Sequence, residues 1–241
     1  CHWIRTLKAD FYTPVEDLSF SFCPAWGHMT LEEVKQQEFV PVEPGFTWGS
    51  SYGYGWFKTC FCIPRELSEK RLVLNLDPGG EAALFINDQA FGTYRADWIK
   101  QPHHYMVDNF LPKGCDSKIE LYMEVYAGHY FPEAESRDCA VGPVLPGFYK
   151  DSLVEGKRRT LGTCTFGIWD EDAYGLYMDV MTLKGLFSVL DPDSLRAERI
   201  ADALEQFTLC VDFEQEKEKR RESYREERKI LRPLLEAKNG D

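Results

Sequence analysis

The sequence predicts a mainly β chain with an α-helical end: an antiparallel β-sandwich of jelly-roll type over residues 1–169, N-terminal arm included, and a helical segment over 170–241. Two observations carry this. Between Phe39 and Trp169, short apolar–polar alternations are separated by Gly, Pro and Asn-Asp turns, without the helical crossovers that parallel strands need. Beyond Trp169 the apolar residues recur at steps of three and four instead of two.

The stretch Leu72 to Tyr94 shows the β pattern best. Leu72, Leu74 and Leu76 alternate with Val73, Asn75 and Asp77, and Pro78-Gly79-Gly80 then lets the backbone reverse. Ala83 to Ile86 reads as a second strand, and Asn87-Asp88-Gln89 as a tight turn into Phe91 to Tyr94, so a β-meander is expected. Upstream, Cys1 to Met29 mixes aromatics and prolines with no clean period. Thr30 and Glu33 match a capping box, which predicts a short helix ending near Gln37. Val, Phe, Trp, Tyr and Gly dominate from Phe39 to Ile63, as suits strands with glycine turns. Lys118 to Ala127 alternates most clearly, with Ile119, Leu121, Met123 and Val125 inward and Glu120, Tyr122, Glu124 and Tyr126 outward, toward water or a partner. Gly128 to Phe148 reads as a long surface excursion, and Arg159 to Trp169 as a last strand.

In the helical part, Leu176, Val180, Leu183, Phe187 and Leu190 fall on one stripe. Asp191-Pro192 is expected to cap and open the next helix, whose buried face is Ile200, Ala203, Leu204, Phe207 and Val211. Acids and bases alternate from Glu214 to Lys229, which predicts a solvated helix face in a linker and no basic stripe. Pro233 is expected to kink or restart that helix.

Forty acidic against 28 basic residues give a net charge of −12, which disfavours nucleic acid and anionic membranes as partners. No apolar run approaches the roughly 18 residues of a membrane span, and Cys1-His2-Trp3-Ile4-Arg5 lacks a signal pattern, so a cytoplasmic location is expected. The opening Cys in place of Met implies a segment removed ahead of it. Eight scattered cysteines read as free thiols; Cys60 and Cys62 share one strand face, opposite Phe57, Phe61 and Ile63. No second Cys pair or His-x₃₋₅-His spacing follows them, so no metal is expected in this chain.

No phosphate loop, G-x-S-x-G elbow or H-E-x-x-H helix is present, and no catalytic residue is nominated. What remains is aromatic density around glycine turns: Trp48, Tyr52, Tyr54, Trp56, Trp98 and Tyr105. The simpler expectation is that these rings fill the sandwich core and its rims. The sharper one is a sugar site, since sugars stack their C–H faces on flat rings while polar groups fix orientation. Its candidates, which serve equally for a domain interface, are Glu81, Arg95, Asp97, Trp98, His103 and His104.

Strand, DPGGEA, strand, IND, FGTY and a downstream Asp and His together resemble the N-terminal, non-catalytic β-sandwich domain of bacterial and cytosolic-type α-mannosidases of glycoside hydrolase family 38. The tail from Tyr174 through DPDSLRAERIADALEQF to RKILRPLLEAKNG is similar to the helices that lead into that family's catalytic barrel. The resemblance implies a galactose-binding-like sandwich in a retaining, exo-acting enzyme of mannoside breakdown, with a divalent metal, usually zinc, in the catalytic domain. It also implies that the catalytic motif follows Asp241, so that the 241 residues are an inactive fragment. Its expected partners are its own catalytic domain, further copies of the full-length enzyme, and mannosides or other glycans. An independent carbohydrate-binding module and a purely structural assembly domain are the alternatives.

Overall fold

The computed structural model describes residues 2–25, 27–49, 53–94, 109–112, 118–128 and 159–237. They fall into two units, one of residues 14–168 and one of residues 1–13 with 169–241. The first unit holds the strands β1 (Tyr12–Asp17), β2 (Phe20–Ala25), β3 (Val40–Val42), β4 (Thr47–Trp48), β5 (Tyr54–Cys62), β6 (Leu72–Asn75), β7 (Glu81–Ile86), β8 (Gln89–Tyr94), β9 (Lys118–Tyr126), β10 (Arg159–Thr160) and β11 (Thr165–Trp169), the first and last of which run across the division. Its largest sheet has the order β3-β2-β5-β9-β7-β8, with every neighbouring pair antiparallel. A three-stranded sheet, β1-β11-β6, and the pair β4-β10 complete it. This is the antiparallel sandwich that the alternation predicts.

The alternation of β9 holds: Ile119, Leu121, Met123 and Val125 are buried in one core with Phe57 and Phe61 of β5, Leu84 of β7, Leu72 and Leu74 of β6, and Phe166 of β11. Phe61 stacks on Phe166 across that core, with ring centroids 5.0 Å apart. Asn87 and Asp88 adopt positive φ values of 45° and 69°, which gives the two-residue turn of the β7-β8 hairpin. The Thr30 capping box forms, although its helix is only Leu31–Val34.

The meander does not form, because β6 belongs to the three-stranded sheet and β7-β8 to the six-stranded one. Asp77 to Gly80 instead carries the chain from one sheet to the other. A Cβ on Gly79, whose φ is +84°, would overlap the Thr160 carbonyl oxygen, and one on Gly80 would overlap that of Tyr126. The glycines are there for close approach. Arg159 to Trp169 likewise splits into β10 and β11, because Gly162 donates its N–H to the Asp77 carbonyl at 2.7 Å and leaves no room for a side chain beside the Asp77 carboxyl.

Five helices are described, and numbered along the chain they are α1 (His2–Asp10), α2 (Leu31–Val34), α3 (Glu171–Phe187), α4 (Leu195–Cys210) and α5 (Lys217–Glu236). All but α2 lie in the second unit. The N-terminal arm thus begins as a helix, packed through Trp3 on Phe207 and through Phe11 on Trp169, Tyr174 and Tyr177. Leu176, Val180 and Leu183 are buried as the stripe predicts, and so are Ile200, Phe207 and Val211, whereas Phe187 is exposed. Ser194, not Asp191, caps α4, accepting from Ala197 N–H at 3.2 Å, while the Asp191 side chain closes a turn onto Asp193 N–H. Helix α5 runs on through Pro233.

The charged segment is not simply solvated. Arg220 grips the buried Asp10 with two hydrogen bonds of 2.9 and 3.0 Å, and the Tyr224 hydroxyl donates to the same carboxylate at 2.6 Å. Arg221 pairs with Asp170, Arg225 with Asp172 and Arg228 with Asp179, so the acids of α3 face the bases of α5. Removing one partner of a buried pair such as Asp10–Arg220 leaves an uncompensated charge, at a cost of about 3–5 kcal/mol.

Gly80→Ala is expected to lower the stability of the sandwich by about 1–3 kcal/mol in urea unfolding, because the methyl group meets backbone rather than a movable side chain. In the helical unit, burial raises the Glu227 carboxyl above the usual carboxylate range, partly offset by a hydrogen bond with Cys210. A folded-state pKa above the unfolded one means that ionisation opposes folding, so this group costs stability at neutral pH and the cost fades as pH falls toward the unfolded value. Glu227→Gln should therefore raise the melting temperature by a few degrees at neutral pH, with the gain shrinking in mild acid.

Candidate functional site: the outer face of the six-stranded sheet

The face of the large sheet turned away from the core is built in cross-strand rows. Cys23, Trp56, Glu124 and Ala83 form one row across β2, β5, β9 and β7, and Ser21, Lys58, Tyr122 and Phe85 form the next. Residues of and around α2 cover part of this face: Val34 is fully buried, and Met29, Leu31 and Phe39 pack with it against Cys23, Ala25, Trp56 and Tyr122. Trp56 stacks on Phe85 at 5.7 Å beneath that cover. Lys58 lies 5.3 Å from the Tyr122 ring centre and 5.9 Å from that of Phe39, with Glu120 3.6 Å away.

The row Ala25, Tyr54, Tyr126, Glu81 is more open. Tyr54 and Tyr126 are half-buried and 4.9 Å apart between ring centres, while Glu81 is exposed. His28, just beyond β2, is exposed and reaches over Tyr54 at 4.6 Å between rings. Its Nδ1 lies 2.9 Å from Glu124 Oε1 and its Nε2 3.1 Å from the Tyr54 hydroxyl. A neutral imidazole protonated on Nδ1 donates to Glu124 and accepts from Tyr54. Burial, reinforced by the Glu124 charge, raises the Tyr54 phenol above its ordinary pKa, which keeps that hydroxyl a donor. Three rings and the Glu124 carboxylate are thereby held together at one end of the sheet, with the exposed Glu81 in register with Tyr126.

Of the sequence-predicted candidates, Glu81 opens β7 in register with Tyr126. Arg95, Asp97, Trp98, His103 and His104 lie outside the described residues, as do Tyr52 and Tyr105. Trp48 and Trp56 are buried at 2% and 0% exposure and serve the core, which leaves Tyr54 as the described member of that aromatic set on a partly open surface. Trp48 packs among Phe22 and Phe57, and its Nε1 donates to the Pro78 carbonyl at 2.9 Å. His28 escaped notice from sequence because its partner Glu124 is 96 residues away.

A second concavity, an open groove of about 530 Å³, lies along β3 and is lined by Phe22, Pro24, Val40, Pro41, Val42, Glu43, Pro44 and Phe46. Glu43 is its one charged lining residue, too little to orient a polar ligand. Cys60 and Cys62 are exposed on one face as expected, whereas burial pushes the Cys164 thiol up to about 12. Among the described residues no group of three or more His, Cys, Asp and Glu side chains is placed to hold a metal ion, and no helix is long and apolar enough to cross a membrane.

A family profile described as alpha-mannosidase, jelly roll domain, matches residues 13–143, more than half of the chain. The protein belongs to this alpha-mannosidase jelly-roll domain family. No curated protein matches its sequence. Among solved structures it is similar to a β-glucuronidase of an uncultured Clostridium species (12% identity over 66% of this chain and 30% of that one, TM-score 0.41). It is also similar to the Lactobacillus rhamnosus β-glucuronidase (15% identity, 65% and 30% coverage, TM-score 0.37) and to a calcium-binding mutant of Bacteroides uniformis β-glucuronidase 2 (19% identity, 49% and 15%, TM-score 0.34). The chain spans less than a third of the length of any of these three.

Replacing Trp48 with Phe removes the donor to Pro78 and leaves a buried carbonyl unsatisfied, a cost of about 1–3 kcal/mol. A drop of that size in urea unfolding is expected; unchanged stability would show that the Trp48–Pro78 hydrogen bond adds nothing net to the fold.

Proposed function

We propose that this chain is a non-catalytic accessory portion of an α-mannosidase, acting as a scaffold that packs against the catalytic domain of its parent enzyme or against another subunit. The observation that carries the reading is the family match, which runs from the start of β1 through the whole of the six-stranded sheet. The distribution of chemistry supports it. His28, the histidine of the sheet face, is tied to Glu124 and Tyr54, and Trp48 and Trp56 are sealed in the interior. In this reading the nucleophilic Asp, the divalent metal and the retaining mechanism of the parent belong to a catalytic domain beyond these residues, and the parent works in the cytoplasm as a homo-oligomer.

The test is turnover. The purified chain, supplied with Zn²⁺ or Co²⁺, is expected to release no nitrophenol from p-nitrophenyl α-D-mannopyranoside above the uncatalysed rate. Hydrolysis that persists through repeated purification would overturn the reading.

A further inference from the structure

We infer that the open end of the outer sheet face, formed by His28, Tyr54, Tyr126, Glu81 and Glu124, binds a neutral hexopyranose ring. This goes beyond the accessory role, which requires no ligand on this face. Three properties of the place point to a sugar. The rings of His28, Tyr54 and Tyr126 succeed one another at centroid separations of 4.6 and 4.9 Å, with interplanar angles of 53° and 36°. Neither pair is stacked face to face, and Tyr54 and Tyr126 are half-buried, so part of this aromatic surface meets solvent, and the C–H face of a pyranose packs on flat aromatic faces.

The polar groups are also fixed in advance. His28 is held at both nitrogens, by Glu124 at 2.9 Å and by the Tyr54 hydroxyl at 3.1 Å, so orienting it costs a ligand little. Glu81, exposed and in register with Tyr126, supplies a second carboxylate on the far side of the rings. Carboxylates accept from adjacent sugar hydroxyls, and a charged acceptor forms the stronger kind of hydrogen bond.

Charge selects the class of sugar. Two carboxylates on a chain of net charge −12 repel a uronate and accept a neutral ring. The covered half of the face is already occupied by Met29, Leu31, Val34 and Phe39, which leaves the ring row as the accessible part.

The experiment is a titration of the full 241-residue chain with methyl α-D-mannopyranoside, α-mannobiose and D-glucuronate, followed by saturation-transfer NMR and calorimetry. Saturable binding of a mannoside at millimolar concentration is expected, weakened about tenfold or more by Glu81→Gln and by Tyr126→Ala, with glucuronate weaker than either mannoside. Glu81 is exposed, so its variant keeps the fold, and an unchanged melting temperature confirms this. No saturable binding, binding untouched by Glu81→Gln, or glucuronate bound as tightly as mannoside would each overturn the assignment. Since the turnover assay reads the accessory role separately, failure here leaves that role standing.

Discussion

The sandwich depends on a crowded backbone crossing at Asp77 to Gly80. There the chain leaves the three-stranded sheet and enters the six-stranded one, passing under the Thr160 and Tyr126 carbonyls with no space for a Cβ at either glycine. The crossing is tied on three sides. Trp48 Nε1 donates to Pro78, Gly162 N–H donates to the Asp77 carbonyl, and Asp77 N–H points at the Cys164 sulfur at 3.2 Å. Those contacts join β4, the β10-β11 connection and the end of β6, which lie far apart in sequence. A backbone that approaches this closely must exchange its hydrogen bonds locally, because buried N–H and C=O groups left alone are costly. At this one junction the chain passes from the three-stranded sheet to the six-stranded one.

In the helical unit the equivalent organising feature is electrostatic. Asp10 is 2% exposed and carries three hydrogen bonds from Arg220 and Tyr224, which brings the N-terminal helix onto the C-terminal one. Asp170 does two jobs, capping α3 through Asp172 and Ala173 N–H and pairing with Arg221. Gly175 gives Arg228 room to lie against α3 and reach Asp179. Paired charges of this kind set which helix faces meet, since any other register strands a buried charge. Apolar packing of Leu176, Val180, Ile200 and Phe207 supplies the attraction that such a network cannot.

The open end of the outer face shows why a binding surface resists reading from a chain. Tyr126 and Glu124 were visible as outward positions of β9, since period-two alternation names the face. What alternation leaves out is which strands lie next to each other. Only the pairing of β9 with β5 on one side and β7 on the other sets Tyr54, Tyr126 and Glu81 in one row. His28 arrives from a segment with no periodic signal at all, and its role rests on two hydrogen bonds to residues on different strands. The family match agrees with the resemblance carried by the DPGGEA and IND segments, whose turn chemistry local sequence does encode.

By itself the sequence determined the local elements: the alternating strands, the Asn87-Asp88 turn, the Thr30 cap and the apolar stripes of α3 and α4. Each is fixed by interactions among residues a few positions apart, so its cause lies within a short window of sequence. Tertiary structure alone decided that β6 and β7 part company at Gly79-Gly80, that the last strand breaks at Gly162, and that the charged helix spends its arginines on Asp10, Asp170, Asp172 and Asp179. Those outcomes turn on which backbone or carboxylate occupies the neighbouring space, and the neighbour comes from tens to hundreds of residues away.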